Sequence, residues 1–311
     1  MTAPKFLWLI AVTTESEHLE LKVRNIRSID SQAIIVIACN NTNDETVKTA
    51  RKVGDYVFVY GPIGKCAALF AAYREVLPRA DRSWNWIVFS DVNTVVTRWL
   101  SIDDLNAMQD SNLSVIYGSV ERYDASKNFR ARPSFSLRLR IDEFFGQSSG
   151  AYGALYLLHF ECFEKALSEL RPVQNDDYVI PALTSMYGKR VLASAASVLE
   201  TESLDFYSEF RRKRRDAKGH VGAIRELISL GHPKKRWYPI LARATVWLAL
   251  WLALAALIAI PVINVGLGGG IYGLLLIALI FRPKFRGKVA RIGGFYLGFL
   301  QGLVGGQQLR W

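Results

Sequence analysis

The sequence predicts an α/β fold, a mostly parallel sheet flanked by helices, followed by a hydrophobic C-terminal appendage. Three observations carry this. Short apolar runs alternate with amphipathic stretches of helical length, polar turns follow the runs directly, and no charged residue occurs from Ala244 to Phe281. Alternating strand and helix imply parallel strands covered by helices on both faces. A chain of 311 residues holds one large domain and a tail, divided here into 1–236 and 237–311.

The first run, Phe6 to Val12, follows a terminus with a single cation, is too short to span a membrane and lacks a small-residue cleavage site, so it reads as a buried strand. Further strands are expected at Ala33 to Cys39, Tyr56 to Tyr60, Trp86 to Phe89 and Leu113 to Tyr117. Helices are expected at Asn43 to Val53 and Gly64 to Leu77. Beyond Tyr123 come an arginine-rich stretch, the segment GQSSGAYGALYLLH, a helix-like Glu161 to Leu170, a helical run opened by Asn175-Asp176-Asp177 and a strand-like Val191 to Leu199. In parallel sheets ligands bind outside the carboxyl ends of the strands. The residues after each strand are therefore the ones to read.

Charge and cysteines narrow the class. The net charge is +11, but sixteen Lys or Arg lie between Arg211 and Arg291 against only Asp216 and Glu226. A basic collar around an apolar segment suits anionic lipid head groups, and a nucleic-acid partner, which calls for a basic face on the globular part, is not expected. Cys39, Cys66 and Cys162 have no paired or metal-type spacing, so reduced thiols are expected.

The tail reads as a hairpin at about 240–281, two apolar segments separated by the glycine-rich Asn264 to Gly270, with an interfacial segment at about 289–311. Cations flank the pair and none lies between its halves, which puts both ends in the cytosol. The expectation is an inner-membrane protein with a cytoplasmic globular domain. Small residues from Gly266 to Gly273 also permit helix association, leaving an oligomer open.

Five segments carry candidate chemistry: IIVIACNNTNDET, GKCAALFAAY, VFSDVNT, NDDYVIP and FRRKRRDAKG. Ordinary turns and helix caps also use these residue types. In this order, however, they resemble the inverting glycosyltransferases of family 2, in particular the bacterial membrane-associated branch related to cellulose, hyaluronan and ceramide glycosyl synthases. The resemblance spans about Phe6 to Gly219 and implies a GT-A-like sheet with a nucleotide-sugar site. It assigns Asn40 and Asp44 to the nucleotide and Lys65 to the nucleotide side. SDVNT corresponds to the motif that holds a divalent cation, Mg2+ or Mn2+, against the donor diphosphate. Asp91 and Asn93 are the ligands there, with Asn93 standing where the family usually has aspartate.

The same resemblance makes Asp177 the general base that takes the acceptor hydroxyl proton, with Asp176 its acceptor-side neighbour, and makes GQSSGAYGALYLLH the acceptor-cavity segment, with Gly150 and His159 as candidates. In FRRKRRDAKG, Arg212 and Arg215 fall on the phosphate-recognising positions, while Asp216 replaces a tryptophan. The function implied is transfer of a hexosyl or N-acetylhexosaminyl unit, with inversion, from a nucleotide sugar, UDP being the family's usual carrier, to a lipid or lipid-linked glycan. Two alternatives stand beside it: a transferase acting on polyprenyl phosphate, and a non-catalytic membrane scaffold for a polysaccharide synthase.

Overall fold

The computed structural model describes residues 4–14, 16–81, 83–124, 129–131, 137–151, 154–170, 176–201, 206–230, 238–239, 241, 295–297 and 299–301. They fall in two compact units. The first is Met1–Glu202 with Gly222–Arg236 and Gln307–Trp311, and the second is Ser203–Val221 with Trp237–Gly306. The expected hairpin at about 240–281 lies outside the described residues, except for Leu241, and so does most of the interfacial segment; 295–297 and 299–301 are helical. Among the described residues no helix is long and apolar enough to cross a membrane.

The chain order is β1 (Phe6–Val12), α1 (Ser16–Ile29), β2 (Ile34–Asn40), α2 (Asp44–Val53), β3 (Tyr56–Tyr60), α3 (Lys65–Val76), β4 (Trp86–Ser90), β5 (Thr94–Arg98) and α4 (Ile102–Ala107). There follow β6 (Leu113–Asp124), β7 (Phe129–Ala131), α5 (Leu137–Phe145), β8 (Leu155–His159), α6 (Phe160–Glu169), α7 (Asp176–Ser185), β9 (Arg190–Thr201) and α8 (Phe206–Ser229). The strands form one sheet in the order β3-β2-β1-β4-β8-β6-β9-β5, with β7 beside β6.

The amino-terminal half behaves as the apolar runs demand. β1 lies between β2 and β4, parallel to both, and strands covered on both faces are apolar throughout. Phe6, Trp8, Ile10 and Val12 join Leu19, Val23 and Ile26 of α1 and Ala50 of α2 in one cluster. On the opposite face Phe163 of α6 meets Phe70 and Tyr73 of α3 and Phe89 of β4 edge-on, with ring centroids 6.3, 5.0 and 5.6 Å apart. Because Phe163 is fully buried and joins two helices to a strand, Phe163→Ala is expected to cost about 3–5 kcal/mol. A chemical-denaturation change below 1 kcal/mol would refute this packing account.

The expectation of a mostly parallel sheet is corrected. Among the described residues only β1·β2, β1·β4, β2·β3 and β6·β9 pair in parallel, whereas β4·β8, β5·β9, β6·β7 and β6·β8 are antiparallel. The cause is connectivity. Where the chain turns back without a crossover helix, the next strand must reverse, as after Asp91, where β4 passes directly into β5. The strand expected at Leu113 to Tyr117 also continues to Asp124.

Candidate functional site

The strand order reverses between β1 and β4, because β2 and β3 lie on one side of β1 and β4 on the other. Such a switch point opens a crevice at the carboxyl ends of the strands. There β4 ends at Ser90, and the chain reverses through Asp91-Val92-Asn93 into β5. Thr94 holds this reversal: its N–H and its hydroxyl both donate to the Asp91 carbonyl, at 3.4 and 2.9 Å. Val92 is buried, and Asn93 is exposed.

Lys65 reaches the same edge from the start of α3. Its Nζ lies 2.7 Å from Asp91 Oδ1, with about a third of each side chain accessible. The preceding Gly64 has φ +90°, in the region that favours glycine. Asn40, at the end of β2, is buried, and its Oδ1 accepts the N–H groups of Ile63 and Gly64, both at 3.2 Å. Asn40 thus shapes the loop that delivers Lys65. Asp44 is exposed in the first turn of α2, where Asn43 caps the helix by accepting the Thr46 N–H.

The acceptor-side candidates come together through the loop between α5 and β8. Gly146 has φ +63°, and a Cβ there would strike the Lys189 carbonyl. Asp142, fully buried, accepts from the backbone and the hydroxyl of Ser149 and from the Tyr117 hydroxyl. The Ser148 N–H donates to Ser185 Oγ, and Gly150, also buried, donates to Ser148 Oγ. The Ala151 N–H donates to the carbonyl of Asp177 at 2.7 Å, and the Ala154 carbonyl accepts from Ser90 Oγ at 2.7 Å. Three residues span at most about 10 Å between Cα atoms. Ala151, bonded to Asp177 in the first turn of α7, and Ala154, bonded to Ser90 beside the Asp91 turn, therefore lie within that distance of each other. Asp176 opens α7.

His159 is not part of this site. In the antiparallel β4·β8 pair Ser90 lies opposite Leu155 and Trp86 opposite His159, so His159 sits at the other end of the strands from Asp91. Its ring meets Trp86 edge-on at 5.3 Å, and burial pushes its pKa below the usual value. A cavity of about 350 Å³, lined in part by Lys5, Asn85, Trp86 and Met108, lies at that same far edge.

Two residues of α1 belong to the site although no strand-end reading reaches them. Lys22, 1% exposed, donates from Nζ to Ser90 Oγ at 2.7 Å, to the Thr94 carbonyl at 3.0 Å and to Thr94 Oγ1 at 3.1 Å. One turn on, the Asn25 side chain donates to the Val96 carbonyl at 3.0 Å and accepts the Val96 N–H at 2.7 Å. Burial pushes the Lys22 ammonium down to about 7, while the charge of Asp91 acts to raise it. The sequence signal is Lys22 within the apolar stripe Leu19, Val23, Ile26, where a solvated lysine does not belong.

The arginine-rich segment lies on α8 in the second unit. Arg211, Arg214 and Arg215 are exposed, and Asp216 pairs with Lys213 at 3.1 Å. Asp216 thus makes a helix-surface ion pair where the family pattern has an aromatic ring. Arg212 lies in the same helix.

Among the described residues no three His, Cys, Asp or Glu cluster around a common point. The Asp91 turn offers one carboxylate and one amide oxygen. That donor set fits a hard cation taking its remaining oxygens from water and a diphosphate, and does not form a closed protein cage.

No protein-family model matches the chain, and no curated protein matches it. Among solved structures it is similar to the mannosyltransferase PcManGT from Pyrobaculum calidifontis in complex with GDP-Man and Mn2+. That match has a TM-score of 0.71 at 18% identity and covers 97% of this chain and 88% of that one. A second match is GalNAc-T7 with UDP, GalNAc and Mn2+, with a TM-score of 0.46 at 13% identity over 70% of this chain and 51% of that one. The first likeness establishes a GT-A-like fold.

Proposed function

We propose that the protein is an inverting glycosyltransferase that moves a hexosyl or N-acetylhexosaminyl unit from a nucleoside diphosphate sugar to a lipid or lipid-linked glycan at the cytoplasmic face of the inner membrane. The observation that carries the reading is the Lys65–Asp91 pair at the switch point of a GT-A-like sheet, with Asp177 bonded to Ala151 and Ser90 to Ala154, three residues apart in the chain. The mannosyltransferase of similar fold was determined with a nucleotide sugar and Mn2+, which supports a donor of this class. UDP is the first carrier to test and GDP the second.

In this reading Lys65 binds the donor diphosphate. Asp91 and Asn93 would hold Mg2+ or Mn2+, which when bound neutralises charge on the leaving diphosphate. Asp177 takes the proton of the acceptor hydroxyl as its oxygen attacks the anomeric carbon from the face opposite the departing nucleotide. Asp176 and Gly150 border the acceptor. The chain is attached to the membrane by 240–281, with the basic segments against anionic lipid. A second reading, sugar transfer to polyprenyl phosphate, is favoured by exposed Arg211, Arg214 and Arg215, which suit a phosphate acceptor.

The test is thermal unfolding with UDP or GDP, with and without Mn2+ or Mg2+. At 100 times Kd a ligand stabilises by about 2.7 kcal/mol, a rise in Tm of about 5–10 °C for a domain of this size. The rise is expected with metal and to shrink with chelator. No response to UDP, GDP or dTDP in the presence of metal overturns the donor site.

A further inference from the structure

Behind the Asp91 turn lies a cation with no part in the chemistry above. The ammonium of Lys22 has three N–H groups, and all three are used, on Ser90 Oγ, the Thr94 carbonyl and Thr94 Oγ1. These acceptors are fixed in turn, because Ser90 Oγ donates to the Ala154 carbonyl and Thr94 Oγ1 to the Asp91 carbonyl. Lys22 thereby grips both ends of the Ser90–Thr94 reversal, and Asn25 grips the strand that leaves it.

All three partners are neutral oxygens, so the hydrogen bonds orient the charge without neutralising it. A buried ion is expensive unless an opposite charge acts on it. The charge that acts on Lys22 is that of Asp91, and Asp91 also pairs with Lys65. One carboxylate therefore serves two amines, and Asn93, in the position where an acid is usual, adds no negative charge. With Lys22 protonated, the turn counted over these groups is a net cation. That suits a ligand bringing two or more negative charges to it and gives little to a neutral one.

We propose that Lys22 is a positioning residue of the diphosphate site, a buried amine that fixes the Ser90–Thr94 turn and in its protonated form places positive charge behind Asp91, selecting nucleoside diphosphates over nucleosides. The inference rests on the donor site proposed above.

Lys22→Met in the full chain tests it, since methionine keeps the length and apolar stem of lysine and removes the charge. Affinities for UDP, GDP and the corresponding nucleosides are measured by calorimetry beside the unliganded Tm. A folded K22M chain is expected to lose at least tenfold in affinity for the diphosphate that the wild type binds, with nucleoside affinity within twofold of wild type. A parallel loss for both ligands, or diphosphate affinity within twofold of wild type, overturns the charge role and leaves Lys22 a core hydrogen-bonding group. Should K22M not fold, wild-type protein labelled with 15N-lysine decides: the slowly exchanging buried ammonium signal is expected to shift with diphosphate and stay still with nucleoside, and equal responses overturn the proposal. A wild-type chain that binds no nucleoside diphosphate overturns the donor reading and this role together. Wild-type binding with an unaltered K22M overturns the role of Lys22 alone.

Discussion

Asp91→Asn is expected to lower kcat/KM by about 10²–10³, the range found when one preorganised electrostatic group aimed at developing charge is removed. The substitution keeps the shape of the turn and an oxygen in place, so the loss reports charge. It removes the counter-ion of Lys65 at 2.7 Å, an accessible pair worth only about 0–1 kcal/mol, and also the opposite charge that acts on buried Lys22. The thermal midpoint is therefore expected to fall as well, and turnover is compared at a temperature where both proteins are folded. Activity within threefold of wild type on the same nucleotide sugar would sink the assignment of Asp91 to the diphosphate.

Asp177→Asn is expected to reduce kcat by about 10²–10⁴, the usual worth of a positioned general base, with KM for the nucleotide sugar little changed. The bond that ties Asp177 to the 146–151 loop runs from Ala151 N–H to the backbone carbonyl of Asp177, so replacing the side chain leaves the loop anchored. Loss of kcat with intact donor binding thus separates a base from a residue that holds the site together. If turnover survives, the proton leaves by another route. If donor binding falls in step with turnover, Asp177 belongs to the fold of the loop.

The sequence made the amino-terminal half readable because a strand buried on both faces leaves a continuous apolar run, as Phe6–Val12 does; the edge strand Tyr56–Tyr60 is also bounded as expected, although only Phe58 in it is buried. Strand direction was not legible. Nothing in LYLLH says that β8 runs against β4, and that direction, with a rise of about 3.4 Å per residue, carries His159 away from the loop it follows in sequence. β5 was missed because its burial alternates along only five residues. α1 was passed over because it is polar on average, and with it went Lys22, whose meaning depends on lying in the buried stripe of its helix. The Lys65–Asp91 pair follows from two motifs, but that Asn40 serves the loop before Lys65 depends on a backbone path no spacing encodes.

Two of the three thiols described as reduced flank this site. Cys39 immediately precedes Asn40, Cys66 immediately follows Lys65, and both are buried. Burial also pushes the Cys39 thiol above its usual pKa, so a reagent in solvent meets little thiolate there. Alkylation of these sulfurs then requires the strand ends to part. The native chain thus carries its own clock for the breathing of this edge, and any ligand that seals the crevice should slow that clock without a label being introduced.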